Sequence, residues 1–356
     1  MEYILATFFI SLPFIFSDKT DDLKCLKLLQ EEYLLPVTLE SPYLTNKHKK
    51  ELIAKYKEYT NKTEKLKICV KQIAKLNKME FDVIKPGDIE KSENNAYTFK
   101  KILGEGAFGE VWEATDKNDK RVAIKVYTNI KLANNDYITE LKCLKKVSKN
   151  CKEYAVCYLD DYILNEQPRV VLNFIDGKSL YYMATSYSKN KRQEYSEKLI
   201  KNLVLGLNSF HKIGITHQDI KPDNIMYDTE HETFRYIDWG LCCFHSKKCG
   251  VRGNVMTTPP ELYHDDFKQI ASQTIEQMKQ HDYWSLGVTL LQFLGNSIKD
   301  NKADANYANI TASDIFFLTE PKRVGSEYAS ETIRKLMTID PEQRSKNFKE
   351  IVKKLK

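Results

Sequence analysis

Cysteine is scarce in this chain. Eight cysteines among 356 residues are too dilute, and too unevenly spaced, for a disulfide scaffold. Free thiols in a reducing compartment, and hence a cytoplasmic protein, are therefore expected. Cys242, Cys243, His245 and Cys249 offer metal-ligand side chains in one short stretch. Because paired C-x-x-C spacing is missing, free loop thiols are favoured over a metal site there.

Apolar runs long enough to cross a bilayer are also lacking. The run Ile4 to Phe16, in MEYILATFFISLPFIFSDK, has the length of a signal-peptide core but is too short for a membrane span. Glu2 precedes it instead of a basic residue, and no small-x-small cleavage site follows. A buried helix or strand pair that packs on the neighbouring domain is therefore favoured over secretion.

A strong excess of one charge is missing as well. The formal net charge of +6 does not indicate a nucleic-acid binder, so no nucleic-acid partner is expected. The positive charge is local: residues 41–79 carry eleven lysines against three glutamates. The rest of the chain is close to neutral.

Residues 1–95 are predicted to form a mostly helical extension and a linker. Between Lys49 and Lys78, apolar residues recur at helical spacing with lysines opposite them. Such a stripe most often packs on another part of the same chain. Contact of the basic segment 41–79 with a membrane or another anionic partner is the less favoured alternative. The stretch KPGDIEKSENNA, from Lys85 to Ala96, has the composition of a linker.

The pattern changes after residue 96. TFKKILGEGAFGEVWEAT and RVAIKVY read as strands separated by a charged turn. From about Glu194 helical patterns dominate, as in EKLIKNLVLGLNSFHKIG, where Leu199, Leu203, Leu207 and Phe210 share one face. This order predicts an α+β protein, in which a small sheet-rich unit precedes a larger helical one.

A glycine-rich turn lies between the first two strands. Gly104, Gly106 and Gly109 form G-x-G-x-x-G, which in a dinucleotide-binding fold would be followed by a helix. Here a strand follows. Glycines between two strands allow backbone N–H groups to approach phosphate oxygens, so a nucleotide lid is predicted. Lys125, in V-A-I-K, is then placed to reach the phosphates, and Glu140 on the next helical pattern is the best candidate to hold its amine.

The stretch ITHQDIKPDNIMY, from Ile215 to Tyr227, concentrates polar side chains around a proline. Pro222 and the missing apolar period argue against a helix, so a functional loop is predicted. Four further segments follow in order: IDWG at 237–240, TPPE at 258–261, DYWSLG at 282–287 and DPEQR, which ends at Arg344.

With these segments in this order, residues 97–356 resemble the eukaryotic-type protein kinase family. The loop resembles H-R-D-x-K-x-x-N, IDWG the D-F-G motif and TPPE the A-P-E motif, whose Glu261 would pair with Arg344. The resemblance implies a two-lobed fold, with an N-lobe at 96–173 and a C-lobe at 174–356. Lys221, two residues after the loop aspartate, is typical of the serine/threonine branch. The divergent motifs are similar to those of kinases from large DNA viruses or AT-rich protists. If the protein is viral, its expected location is the cytoplasm of the host cell.

The resemblance also implies residue roles in phosphoryl transfer from ATP to a protein. Asp219 would accept the proton of the substrate hydroxyl, and Lys221 would neutralise the transferred phosphoryl group. Lys125 and Glu140 would form the phosphate-binding ion pair, while Asn224 and Asp238 would hold Mg²⁺. A glycine lid, an adenine sandwich and a hinge would bind the nucleotide. These positions are Leu103, Gly104, Glu105, Gly106, Ala107, Phe108, Gly109, Val111, Ala123, Lys125, Leu172 as gatekeeper, Asn173, Phe174 and Met226.

Several positions depart from the family pattern. Gln218 replaces the arginine that typically grips a phosphate on the activation loop, so activity is predicted not to depend on phosphorylation of Thr257 or Thr258. Trp239 replaces phenylalanine and is expected to pack with His217. Asn254 stands where a threonine usually bridges the loop. Pro259 replaces alanine, without expected effect.

Two other function classes compete with an active serine/threonine kinase. A pseudokinase scaffold would need a damaged catalytic set, whereas Lys125, Asp219, Asn224 and Asp238 are all present. A small-molecule phosphotransferase could share the loop, but the glycine lid, TPPE and DYWSLG favour a polypeptide substrate. The N-terminal extension is hypothesised to dock on the lobes and to set the helix that bears Glu140.

Overall fold

A computed structural model describes nine ranges of the chain: 84–106, 109–127, 130–165, 167–247, 249–251, 253, 255–262, 272–295 and 310–356. The predicted helical extension, including the run Ile4–Phe16 and the basic segment, lies outside the described residues. So do Ala107, Phe108 and Asn254.

Six antiparallel strands form the sheet of the small lobe, in the order β1-β2-β3-β4-β6-β5. Their bounds are β1 Ile89–Lys91, β2 Ala96–Gly106, β3 Gly109–Thr115, β4 Arg121–Tyr127, β5 Tyr158–Leu164 and β6 Gln167–Asn173. Helix α1, Ile130–Val147, follows β4, and a short helix α2, Cys151–Tyr154, precedes β5. The predicted sheet-rich unit is thus confirmed.

Strand β4 shows how the sheet separates its two faces. Val122, Ile124 and Val126 are buried in the hydrophobic core of the small lobe. Because successive side chains in a strand point to opposite faces, Lys125 and Tyr127 project from the other face. Tyr127 belongs there to the core that includes residues of α1 and the large lobe.

The sheet curls until its two edge strands meet through side chains. On β1, Glu90 is buried and accepts two hydrogen bonds of 3.0 Å from Arg169 on β6, and Tyr162 on β5 donates to it at 2.8 Å. Asp160 on β5 accepts from Ser92, next to β1. The interpretation of residues 85–96 purely as a linker is therefore corrected, because three of them form a strand of this sheet.

The large lobe is mostly helical, and its helices surround a buried central one, α6. The helices after β6 are α3 Leu180–Ser186, α4 Lys189–Gln193, α5 Ser196–Lys212, α6 Ile275–Gly295, α7 Ala312–Leu318, α8 Pro321–Val324, α9 Glu327–Leu336 and α10 Pro341–Leu355. The predicted shared face of α5 is confirmed, because Leu199, Leu203, Leu207 and Phe210 are all buried. No helix in the described ranges is both long and apolar enough to cross a membrane.

Two small sheets frame the loop between α5 and the TPPE segment. One has the order β10-β9-β7, with β7 Gly177–Ser179, β9 Ile225–Asp228 and β10 Thr233–Tyr236. The other pairs β8, Ile215–Thr216, with β11, Cys243–Phe244. The polar loop 217–224 leaves β8 and enters β9, so both of its ends are fixed by strand pairing.

The six described cysteines form three disulfides, and the prediction of free thiols is wrong for them. The pairs are Cys143–Cys242, Cys151–Cys157 and Cys243–Cys249. Among the described residues no group of three or more His, Cys, Asp or Glu side chains could hold a metal ion. The assignment to a reducing cytoplasm rested on free thiols and loses that support.

We expect Glu90→Leu to lower the free energy of unfolding by about 3–5 kcal/mol, because Arg169 would be left buried without its carboxylate. The double variant Glu90→Leu/Arg169→Met should recover most of this loss. Urea unfolding measures both effects. Lys191→Ala, which removes the exposed pair of Lys191 and Glu194, is the control and should leave stability nearly unchanged. A Glu90→Leu loss no larger than that of the control would contradict the structure.

The disulfides predict a specific cysteine-labelling pattern. Protein unfolded without reductant should leave all six described cysteines unmodified by iodoacetamide, because a disulfide sulfur is not a nucleophile. Non-reducing peptide mapping should recover Cys143 linked to Cys242. Reduction before labelling is the control and should make all six reactive. Labelling of Cys143 without reduction would refute the pairing.

Candidate active site

The loop 217–224 is held from below by one buried carboxylate. Asp282 on α6 accepts the backbone N–H of His217 at 2.9 Å and that of Gln218 at 2.8 Å. His211 on α5 lies 2.8 Å from the same carboxylate. Burial raises the pKa of Asp282, but its hydrogen bonds with His211 and with the backbone N–H of Gln218 outweigh burial and leave the pKa below its usual value. The loop is therefore fixed to the centre of the large lobe.

The ring of His217 lies against Trp239, the residue that follows Asp238. The His217 and Trp239 ring centroids are 4.7 Å apart, which confirms the predicted packing. His217 Nε2 also lies 3.1 Å from the carbonyl oxygen of Ile237. Phe210 packs edge-on against Trp239 at 4.8 Å. The indole that follows Asp238 therefore packs between the rings of His217 and Phe210.

Asp219 is the centre of a first polar cluster. Its Oδ2 accepts from Lys221 Nζ at 2.9 Å and from Asn224 Nδ2 at 2.8 Å. Its Oδ1 is buried and has no hydrogen-bond partner among the described residues. An unpartnered buried carboxylate oxygen is unfavourable in isolation, so this atom is suited to a ligand's hydroxyl group. Burial lowers the pKa of Lys221, but the nearby Asp219 carboxylate raises it by more. The net pKa is above the usual value of a lysine, so the amine stays charged.

Lys125 is the centre of a second polar cluster. Its Nζ donates to Glu140 Oε1 at 2.9 Å, to Glu140 Oε2 at 2.8 Å and to Asp238 Oδ1 at 2.9 Å. The Glu140 side chain is 2% exposed, whereas that of Asp238 is 41% exposed. Asp238 therefore presents part of its carboxylate to the cleft, whereas the carboxylate of Glu140 is buried against Lys125.

Attraction between the opposite charges of this second cluster keeps Lys125 and Asp238 ionised. Burial lowers the pKa of Lys125, but Asp238 and Glu140 outweigh it and raise the pKa above its usual value. Burial likewise opposes ionisation of Asp238, yet the Lys125 ammonium lowers the pKa of this carboxyl to about 2. Both groups are therefore charged at neutral pH.

Gly240 allows the segment after Asp238 to approach this cluster. A Cβ atom at this position would lie 3.3 Å from Asp238 Oδ1 and 3.4 Å from Glu140 Oε2. The first distance is tighter than ordinary van der Waals contact, and the second is at its lower limit. A larger residue would push the two carboxylates away from Lys125.

The predicted nucleotide residues lie on the strands next to Lys125. Gly106 and Gly109 face each other where β2 turns into β3, and Gly104 lies opposite Val111. Val111 is in turn opposite Lys125, and Ala123 is opposite Leu172 on β6. Leu103 and Glu105 are exposed on β2, whereas Met226 is half-buried on β9. Of the predicted set, Ala107 and Phe108 are not described, and Met226 lies on β9, outside this sheet.

The predicted hinge follows the end of β6. Asn173 is tied to the residue directly before β5, because its Oδ1 accepts from the N–H of Cys157 at 2.6 Å. The ring of Phe174 lies 4.3 Å from the guanidinium carbon of Arg121. These two contacts fix the connection between the two lobes.

Gln218 is directed into the large lobe. Its amide nitrogen donates to the carbonyl oxygen of Met278 at 2.8 Å, and its amide oxygen accepts from Gln273 at 3.3 Å. Its backbone adopts a φ of 66°, in the left-handed region. Thr257 and Thr258 are buried as well.

The TPPE segment is joined to α10 by a bidentate ion pair. Arg344 contacts the two carboxylate oxygens of Glu261 at 2.6 and 3.2 Å. This confirms the predicted pairing. Arg344 is fully buried and also donates to the carbonyl oxygens of Thr338 and Ile339.

Sequence reasoning missed Tyr127 and the cysteine pair next to the site. The hydroxyl of Tyr127 donates to Glu140 Oε2. Strand alternation could have found it, because Tyr127 lies two residues after Lys125 and therefore on the same face. Cys143 lies one turn after Glu140, and its partner Cys242 lies shortly after Asp238. Spacing in sequence gives no signal for this pair.

The chain is similar to curated kinases over most of its length. It is 30% identical over 263 residues to "Probable serine/threonine-protein kinase fhkB" of Dictyostelium discoideum, covering 70% of this chain and 22% of that protein. It is 26% identical over 215 residues to "Serine/threonine-protein kinase nekl-2" of Caenorhabditis elegans, covering 56% of this chain and 57% of that protein. The chain therefore spans less than two thirds of these relatives.

Two further comparisons extend this likeness. "Calcium/calmodulin-dependent protein kinase type 1" of Caenorhabditis elegans is 27% identical over 259 residues, covering 70% of each chain. The "Structure of the Cydia pomonella Granulovirus kinase, PK-1" matches with a TM-score of 0.54 at 20% identity, covering 72% of this chain and 93% of that chain. At that identity the match supports the fold, and the expected two-lobed architecture is confirmed.

The family described as "Protein kinase domain" matches residues 97–355, which contain both polar clusters and the Glu261–Arg344 pair. The chain belongs to the protein kinase domain family.

Proposed function

We propose that this chain is a serine/threonine protein kinase, which transfers the γ-phosphoryl group of ATP to a hydroxyl group of a protein. The observation that carries the proposal is the pair of polar clusters in one cleft. Lys125 is held by Glu140 and Asp238, and Asp219 presents an unpartnered oxygen beside Lys221. Phosphoryl transfer requires mainly positioning and charge neutralisation, and these clusters provide both.

Each group has a distinct part in the transfer. Asp219 Oδ1 orients the hydroxyl of the substrate and accepts its proton as the new P–O bond forms and the bond to ADP breaks. Lys221, 2.9 Å from Asp219, is placed to neutralise the transferred group. Lys125 holds the phosphates of ATP, and the residues around the glycine turn and the hinge hold the rest of the nucleotide.

Asn224 and Asp238 fit a divalent cation. The Asp238 carboxylate is ionised and partly exposed, and Asn224 uses its amide nitrogen toward Asp219, which leaves the amide oxygen as a ligand. Carboxylate and amide oxygens are suitable ligands for Mg²⁺. When bound, Mg²⁺ supplies charge neutralisation at the phosphates.

The same features argue against the competing functions. A pseudokinase scaffold would not need an intact ion pair between Lys125 and Glu140 together with an oriented Asp219. A small-molecule phosphotransferase would not need the platform that Glu261 and Arg344 hold beside the cleft. We place the lobe boundary at residues 173–174, where β6 ends, and a protein is the proposed substrate.

We expect Asp219→Asn to lower phosphate transfer by at least about 100-fold, because the proton acceptor is lost. Transfer of radiolabelled phosphate from ATP to generic protein substrates measures this effect. Binding of Mg²⁺ and ATP should persist in Asp219→Asn but weaken in Asp238→Asn. Glu342→Gln, on the exposed first turn of α10, is the control. Labelling of protein by Asp219→Asn at the level of the control would refute the assignment.

Phosphatase treatment of the purified chain should leave its activity unchanged. Gln218 carries no charge and spends its amide on Met278 and Gln273, so a phosphate on the activation segment gains no cationic partner from it. A kinase that has arginine at this position and requires loop phosphorylation provides the control for the treatment. A tenfold or greater loss of activity would show that a phosphate switch exists despite Gln218.

A further inference from the structure

Tyr127 lies directly beneath the ion pair of Lys125 and Glu140. It is fully buried at the end of β4, on the same face of the sheet as Lys125. Its hydroxyl donates to Glu140 Oε2, the oxygen that also accepts from Lys125 at 2.8 Å. The carboxylate of Glu140 thus has two donors on one oxygen, from two residues of the same strand.

The hydroxyl of Tyr127 matters because Lys125 has a limited number of N–H donors. An ammonium group has three N–H donors. Lys125 directs one to each oxygen of Glu140 and one to Asp238. To donate to a phosphate it must release one of these bonds. Because the Glu140 side chain is 2% exposed, water cannot readily replace a lost donor there.

Packing fixes the phenol in the orientation that this bond requires. The Tyr127 ring meets the Tyr137 ring of α1 edge-on, with centroids 5.3 Å apart. Lys125 Nζ lies 5.3 Å from the centre of the Tyr127 ring, within the range of a cation–π contact. The hydroxyl of Tyr127 is therefore held in place before any ligand binds.

We infer that Tyr127 is a positioning residue for phosphate binding. It keeps Glu140 Oε2 hydrogen-bonded, so that Lys125 can turn one of its N–H groups from Glu140 to the phosphates of ATP. This inference rests on the proposed function, since it assigns phosphates to Lys125. Burial, with the charge of Glu140 second, raises the pKa of Tyr127 well above its usual value, so the phenol stays a donor at neutral pH.

The test is the affinity of Tyr127→Phe for two probes. The variant keeps the ring and removes only the donor. With Mg²⁺ and the β,γ-imido analogue of ATP, calorimetry should show about tenfold weaker binding, the size of one hydrogen bond to a charged group. Adenosine, which has no phosphates, should bind as it does to the unchanged chain. In steady-state assays the KM for ATP should rise while the KM for the protein substrate stays constant.

Tyr137→Phe is the matched control. It removes a hydroxyl from the same ring pair, but that hydroxyl contacts Asp161 and not Glu140. It should leave the affinity for both probes unchanged. Thermal unfolding of all variants shows whether the fold is retained.

A double-mutant cycle provides the second measurement. If Tyr127 acts through Glu140, Tyr127→Phe should have no further effect on binding of the ATP analogue in a Glu140→Gln background. Additive effects would overturn the inference. So would an equal loss of affinity for adenosine, or less than a twofold loss for the ATP analogue. Failure of the unchanged chain to bind the ATP analogue would instead refute the proposed function.

Discussion

One ammonium group shared between two carboxylates joins the parts of this molecule that must act together. Lys125 belongs to β4, Glu140 to α1 and Asp238 to the segment after β10, and their side chains meet within 2.9 Å. A charge removed from water is unfavourable unless it is paired. The ion pairs of Lys125 therefore hold β4, α1 and the segment after β10 together. The curled sheet, the close approach at Gly240 and the packing of Trp239 behind Asp238 all serve to keep this arrangement closed.

The large lobe solves a similar problem with a different carboxylate. Asp282, at the centre of α6, gathers backbone N–H groups of the loop and the ring of His211, just as Glu140 gathers Lys125 and Tyr127. A buried carboxylate can accept several hydrogen bonds at once, and each donor lowers the unfavourable free energy of burying the charge. In both lobes a polar residue in the interior therefore determines where the reactive side chains stand. α1 has further tethers, through Asp161 to Tyr137 and Lys145 and through the disulfide to Cys242.

The motifs predicted the contacts that follow from their own residue types. Residue type and position were sufficient to anticipate the pairing of Lys125 with Glu140, whereas the pairing of Glu261 with Arg344 was anticipated from the family resemblance. The sequence was less informative where a residue acts against its usual tendency. Glu90, in a charged stretch, reads as a surface residue, yet it closes the sheet by pairing with Arg169. From the sequence, Gln218 indicates that a positive charge is missing. It does not reveal the hydrogen bonds that its amide makes inside the large lobe. Cysteine pairing depends on the folded path, because spacing alone does not specify which thiols meet.

The bond between Cys143 and Cys242 has a topological consequence. With a sequence separation of 99, it closes a covalent ring that contains β5, β6, the hinge, α5 and the loop with Asp219. Glu140 lies just outside one end of this ring, whereas Asp238 lies just inside the other. A cross-link over about 100 residues lowers the entropy of the denatured chain, which stabilises the native state by about 4.7 kcal/mol in the chain-entropy model. Even when the native packing is lost, these two carboxylates remain a few residues apart along a continuous covalent path, so the chain begins refolding with Glu140 and Asp238 already near each other.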